Sequence, residues 1–162
     1  MVECYAGQLN QVFMNLLSNA IEALEERAQC TVSSHQLTVH NHQLQRIEGI
    51  EDLTQHSSNA PTIRIHTEVT DDRQIKICLA DNGVGIPEAV QARIFDPFFT
   101  TKAVGKGTGM GLAISYQIIT ERHKGHLHCT STPGQGTEFV IKIPMQQSEA
   151  PSCTLDSNPV KQ

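Results

Sequence analysis

Phe95-Asp96-Pro97-Phe98-Phe99-Thr100-Thr101-Lys102-Ala103-Val104-Gly105-Lys106-Gly107-Thr108-Gly109-Met110-Gly111-Leu112 gathers three of the chain's five Phe and four of its eleven Gly. The first half is a bulky apolar patch broken by a proline. The second half sets glycine at every other position and runs into an apolar segment, Leu112 to Ile119. Glycine lets a backbone approach a ligand closely. A glycine-rich loop that opens a helix points free N–H groups and the positive end of the helix dipole at an anion. The stretch therefore reads first as a phosphate-binding loop. A Walker A loop needs G-x-x-x-x-G-K-[ST], and here Gly105-Lys106 is followed by Gly107, so that pattern fails. A dinucleotide fingerprint needs G-x-G-x-x-G directly after a strand, and these glycines follow an aromatic segment instead.

Composition narrows the rest. The chain has 162 residues, enough for one domain with a core, and only 4% aromatics with no Trp, so that core must be aliphatic. A net charge of -5 argues against a nucleic-acid surface. No run approaches the roughly 18 apolar residues of a membrane helix, and the N-terminus lacks a signal pattern. No direct membrane contact is expected. Five cysteines without a CxxC fit a reducing, cytoplasmic setting better than a disulfide framework. The His clusters His40/His42 and His123/His126/His128 lack the paired spacing of a zinc site.

Outward from the glycine loop, the pattern alternates between helix and hairpin. Leu9, Val12, Phe13, Leu16, Leu17, Ala20, Ala23 and Leu24 recur at helical spacing, predicting a helix over 8–27. Its other side carries Gln11, Asn15, Asn19 and Glu22. Asn is a mediocre helix former, so two of them one turn apart call for a reason. Residues 29–60 are polar and read as an inserted excursion, closed by Pro61. Thr62–Val69 and Gln74–Ala80 alternate with period two and predict a hairpin. The second strand ends in Asp81-Asn82-Gly83-Val84-Gly85-Ile86-Pro87. Pro87-Glu88 starts a short helix that is expected to run to about Ile94. A second strong helix is expected over 112–123, ending near Gly125. A second hairpin follows, His126–Ser131 and Thr137–Ile143. Val2–Tyr5 leans towards strand. Residues 145–162 have little to bury and read as a disordered tail. The expected fold class is α+β: a two-layer α/β sandwich with helices on one face of a mixed sheet of four or five strands. Residues 1–144 form its single domain.

The ordered set of motifs resembles the catalytic, ATP-binding domain of sensor histidine kinases. These share a superfamily with gyrase, the ninety-kilodalton heat-shock chaperone and MutL. Asn10-Gln11-Val12-Phe13-Met14-Asn15-Leu16-Leu17-Ser18-Asn19-Ala20 is similar to the N box, Asp81-Asn82-Gly83-Val84-Gly85 to the G1 box and Phe95-Asp96-Pro97-Phe98-Phe99 to the F box. Gly105 to Leu112 is similar to the G2 box, and Gly134-Gln135-Gly136-Thr137-Glu138-Phe139 to the last glycine motif. The resemblance implies a Bergerat-type ATP-binding fold with a mobile ATP lid at Thr100 to Val104. It implies two cofactors, ATP and Mg²⁺.

By that resemblance Asp81 accepts from the adenine 6-amino group, supported by Thr137, although an Asp before Gly is also an ordinary turn signal. A site built on such a bond can discriminate by about 10⁴ or more. Asn19 becomes the main Mg²⁺ ligand, with Asn15 assisting at the phosphates; an amide oxygen suits this hard ion. Where Asn15 stands, the superfamily's hydrolases carry a Glu that activates water. Asn cannot take that proton, which favours phosphoryl transfer. Asn15, Asn19 and Lys102 are the implied catalytic residues. Gly83, Gly85, Ile86, Phe95, Lys102, Lys106, Gly107, Thr108, Gly109, Met110, Gly111 and Leu112 complete the implied nucleotide site. Arg93 is a weaker cation candidate. The F box implies a grip on a dimerisation helix, though three aromatics with a proline also suit a plain core patch.

Two departures stand out. No His lies in the phosphoacceptor context of His-Glu followed by Asn-Pro, so the acceptor is expected on a dimerisation domain of a longer parent kinase. A response regulator would take the phosphoryl group next. The family's strand before the N box is reduced to Val2–Tyr5, which would leave a sheet edge open. Two further readings remain. An anti-sigma-factor-type serine kinase of the same fold lacks the Phe-Asp-Pro-Phe-Phe segment. A non-catalytic ATP-sensing module would bind nucleotide without transfer.

Overall fold

A computed structural model of the chain describes residues 3–38, 60–103, 105 and 107–146. Its first element is helix α1, Ala6–Thr38. Leu9, Val12, Leu16 and Ala20 form its buried stripe, at the spacing the sequence shows. Each fully buried Val or Leu of this kind contributes about 1.5–3 kcal/mol. The helix overruns its predicted end at Arg27. The first part of the expected excursion, 29–38, continues α1, because no Gly or Pro interrupts it there. The remainder of that excursion, 39–59, lies outside the described residues, as does the tail from 147 onward.

Strands β1 (Ile63–Val69) and β2 (Gln74–Asp81) form the first expected hairpin. Its turn is closed by the Thr70 amide on Gln74 O (2.9 Å) and the Arg73 amide on Thr70 O (3.0 Å). The short helix α2, Glu88–Gln91, follows Pro87 as expected but stops before the expected end near Ile94. Helix α3, Gly111–Gln117, passes into a π-helical turn, Ile118–Arg122. Strands β3 (His126–Thr132) and β4 (Gly136–Pro144) form the second hairpin.

The sheet order is β1-β2-β4-β3, and all three pairings are antiparallel. This corrects the mixed sheet expected from sequence. Short hairpin turns make β1–β2 and β3–β4 antiparallel, and the third pairing is antiparallel because β4 rather than β3 lies beside β2. Strands β2 and β3 run in the same direction, but β4 lies between them. Nor do Glu3–Tyr5 form the expected strand; the Glu3 amide makes one bond to Met145 O, 3.0 Å.

The helices cover β2 and β4. Leu79, Phe139, Ile141 and Ile143 pack there against Val12, Leu16, Ile118 and Ile119 in one core. Strand β1 is less covered. Ile65 is paired with Leu79, yet it stays 54% exposed.

His123 locks the helix layer. It is fully buried. Its Nε2 accepts from the Tyr5 amide (3.1 Å), and its Nδ1 lies 3.0 Å from Ile118 O, which obliges Nδ1 to carry the proton. The Tyr5 ring meets its imidazole edge-on, centroids 5.4 Å apart. The side chain thus ties the start of α1 to the π-helical turn. His123→Ala is expected to lower unfolding free energy in urea by about 2–4 kcal/mol through a cavity and lost bonds. A loss below about 1 kcal/mol would contradict this role.

Candidate functional site

A cavity of about 440 Å³ opens between α1, the end of β2 and the loop that precedes α3. Strand β2 delivers Asp81 to its floor. Asp81 is buried, and its Oδ1 accepts from the Gly83 amide at 2.8 Å. Burial raises its carboxyl above the ordinary range, and the backbone amides of Gly83 and Thr137 pull it part of the way back. Cys129, beside it, is pushed up to about 12 by burial and then by the Asp81 charge, so it remains a thiol.

Helix α1 holds the turn after Asp81. The Val84 amide donates to Ala23 O (3.3 Å), and the Arg27 guanidinium donates to the carbonyls of Asn82 and Gly83. The Asn82 side chain accepts from the Thr62 amide (2.8 Å) and donates to Ala60 O (2.9 Å). Gly83 permits the close approach: a Cβ there would sit 2.6 Å from Ala23 Cβ and 2.8 Å from Asp81 Oδ1. The glycine lets strand and helix meet, and it does not line the cavity.

The face of α1 towards the cavity carries Asn15, Asn19, Glu22 and Glu26. Asn15 spends both amide protons on α3. Its Nδ2 donates to Gly111 O (3.0 Å) and to Ser115 Oγ (3.1 Å), while Ser115 Oγ donates to Gly111 O (2.8 Å). The amide oxygen is the atom left over. Lys102 crosses from the loop and pairs with the Glu22 carboxylate. Gly109, with φ +65°, lies against the Phe98 backbone, where a Cβ would come within 2.4 Å of Phe98 C. Only glycine tolerates that combination.

Of the expected site residues, the cavity brings together Asn15, Asn19, Asp81, Gly85, Ile86, Lys102, Gly107, Thr108, Gly109, Gly111, Leu112 and Thr137. Gly83, Phe95 and Met110 are not part of its lining. Phe95 packs on Tyr116 of α3 instead, ring centroids 5.1 Å apart. Lys106 lies outside the described residues, as does Val104. Arg93 sits over the Phe99 ring at 4.4 Å and beside Asp96 at 3.5 Å, away from the lining. Sequence reasoning missed the apolar walls Val84, Val90, Ile94 and Phe139 and the acidic Glu26. Glu26 continues the Asn15–Asn19–Glu22 face by one further turn, a signal that was present in the spacing.

The described cavity meets a matching family model: histidine kinase-, DNA gyrase B- and HSP90-like ATPase, over residues 47–147. The chain belongs to this ATPase family. Among curated proteins it is similar to the sensor kinase CckA of Brucella abortus, 34% identical over 144 residues, 88% of this chain. It is also similar to the signal transduction histidine-protein kinase AtoS of Escherichia coli, 36% identical over 137 residues, 85% of this chain. It spans only 13% of the first and 17% of the second. Among solved structures it resembles the nucleotide-free catalytic domain of the histidine kinase ThkA. There the TM-score is 0.60 at 28% identity, covering 89% of this chain and 70% of that one. The α+β ATPase fold is thus the fold of this chain, and ATP is the ligand class the family carries.

Burial of Asp81 has a consequence for stability. Its folded-state carboxyl titrates above its unfolded value, so folding takes up a proton as pH passes between the two. Asp81 therefore disfavours the fold least below its unfolded range and most once pH has risen past its folded range. Asp81→Asn keeps an acceptor for the Gly83 amide and removes the buried charge. This variant is expected to melt above the parent at neutral pH, with the gap closing towards pH 3. A lower melting temperature at neutral pH would contradict the buried-charge account.

Proposed function

We propose that this chain binds ATP with its adenine at Asp81 and passes the γ-phosphoryl group to a His on a separate dimerisation domain. An Asp on a response regulator would be the next acceptor. The observation that carries this reading is the pairing of two chemistries in one cavity. A buried carboxylate stands at the floor, and an amide, Asn15, stands on the α1 face.

The floor suits a base with an amino group, since Asp81 is an acceptor that burial keeps from water. The apolar walls Ile86, Val90 and Leu112 suit the ring. On the other side, Asn19 and Asn15 offer amide oxygens, and the hydrogen bonds of Asn15 leave its oxygen as the free end. Hard oxygen donors of this kind fit Mg²⁺, with Asn19 as the main ligand and Asn15 assisting. Bound there, Mg²⁺ would supply charge neutralisation to the phosphates. Asn15 has no proton-accepting group for water. Glu22 on the same face is held in its ion pair with Lys102. The lack of a proton-accepting group at Asn15 favours transfer over hydrolysis. Lys102 lines the cavity, and exchange from Glu22 to phosphate would close the loop over ATP. Gly107, Thr108, Gly109 and Gly111 line the approach to α3 and would cradle the phosphates.

The F box supports a macromolecular acceptor. Phe95 anchors it on Tyr116 and Arg93 covers Phe99, while Phe98 is 76% exposed at φ +66°. Presenting an aromatic to solvent on a left-handed backbone costs about 1–3 kcal/mol, a cost consistent with a partner contact. We read residues 1–144 as the catalytic unit of a longer kinase working in the cytoplasm.

The test is transfer in trans. The chain is mixed with separately prepared dimerisation domains of sensor histidine kinases and γ-labelled ATP. Label on an acceptor His, stable to base and labile to acid, is the expected result. ATP binding without transfer to any acceptor would favour a nucleotide-sensing module instead.

A further inference from the structure

One hydroxyl organises the wall beside Asp81. Ser131 on β3 stands opposite Thr137 on β4. Its Oγ lies 2.8 Å from the Ile86 amide, 2.9 Å from Gly136 O and 2.9 Å from Thr137 Oγ1. A serine hydroxyl has one proton and two lone pairs. The Ile86 N–H occupies one lone pair. Gly136 O has no proton to give, so the hydroxyl must donate to it. The second lone pair is then satisfied only if Thr137 donates. This is the one arrangement that satisfies all three contacts of the half-buried Ser131 hydroxyl.

Gln91 of α2 holds the same corner from outside. Its Nε2 donates to Ile86 O (2.7 Å) and to Ser131 O (2.9 Å). Ser131 therefore cannot drift from Ile86 without breaking that bridge. The result for Thr137 is directional. Its side chain is buried and lines the cavity. With its proton directed at Ser131, the Thr137 oxygen offers the cavity lone pairs alone.

We propose that Ser131 is a positioning residue for base choice. By accepting the Thr137 hydroxyl proton it leaves the Thr137 oxygen, paired across the sheet with Asp81, able only to accept, which suits an amino-bearing base edge and opposes an oxo-bearing one. This rests on adenine lying at Asp81, as proposed above. Without Ser131 Oγ, the Thr137 hydroxyl is free to turn its proton into the cavity and satisfy an oxo group.

The experiment compares ATP with inosine triphosphate, which carries an oxo group in place of the 6-amino group and a proton on N1, using calorimetry on the full chain. Ser131→Ala is expected to lower the ATP-to-inosine triphosphate affinity ratio by about tenfold, chiefly by tightening the oxo nucleotide. Ser131→Thr restores the hydroxyl and should restore the ratio. On a Thr137→Val background, Ser131→Ala should leave the ratio unmoved, because the proton in question is gone. Should Ser131→Ala fail to fold, Ser131→Cys, whose thiol is a weak acceptor, must also lower the ratio. A folded Ser131 variant that weakens both nucleotides equally, or moves neither, overturns the proposal. If the unaltered chain itself binds both nucleotides equally, the placement of adenine at Asp81 falls as well.

Discussion

A carboxylate taken out of water at the end of a strand is the constraint that shapes this domain. Asp81 can select a hydrogen-bond donor only if water does not compete for it, and burying it costs free energy. Burial is offset in part by the amides of Gly83 and Thr137. The Gly83 amide reaches Asp81 only because the chain turns back at once, and the turn needs a wall to lean on. Helix α1 is that wall, through the Ala23 carbonyl and the Arg27 guanidinium. The last turn of the sheet completes the enclosure, with the Gly134 amide on Val84 O at 2.7 Å.

Helix α1 thereby serves three neighbours at once. Its apolar stripe packs on the sheet, its Asn15 amide binds the start of α3, and its Glu22 holds Lys102 from the glycine loop. A helix interior with two Asn is mildly unfavourable by propensity. The cost has a structural return here, since the Asn15 protons satisfy Gly111 O and Ser115 Oγ in a buried corner. The glycine loop in turn rests on the F box, because Gly109 lies against the Phe98 backbone. Movement of the loop cannot leave Phe98 unaffected.

Much of this was legible in the residues. Period-two alternation placed both hairpins to within a residue or so, and the apolar spacing from Leu9 to Leu24 gave α1 its buried face. Other features depend on tertiary contacts that no local pattern encodes. The excursion expected from Gln29 begins instead as helix, because polar residues without Gly or Pro are compatible with either state. The sheet is antiparallel rather than mixed because β4, rather than β3, lies on β2. Gly83 looks like a ligand glycine in a motif, yet what it accommodates is the Ala23 methyl. Phe95 belongs to an aromatic box, yet its partner is Tyr116. Ser131 carries no sequence signal of its own; its importance appears only when β3, β4 and the Ile86 amide converge on one oxygen.

The central claim is that the Asp81 carboxylate is the anchor for the adenine amino group. Calorimetric titration of ATP into Asp81→Asn, with its fold checked by circular dichroism, addresses it most directly. The account predicts a folded protein with ATP affinity reduced by about a hundredfold or more, since an amide presents a donor where the base presents another. An ATP affinity equal to that of the unaltered chain would contradict it.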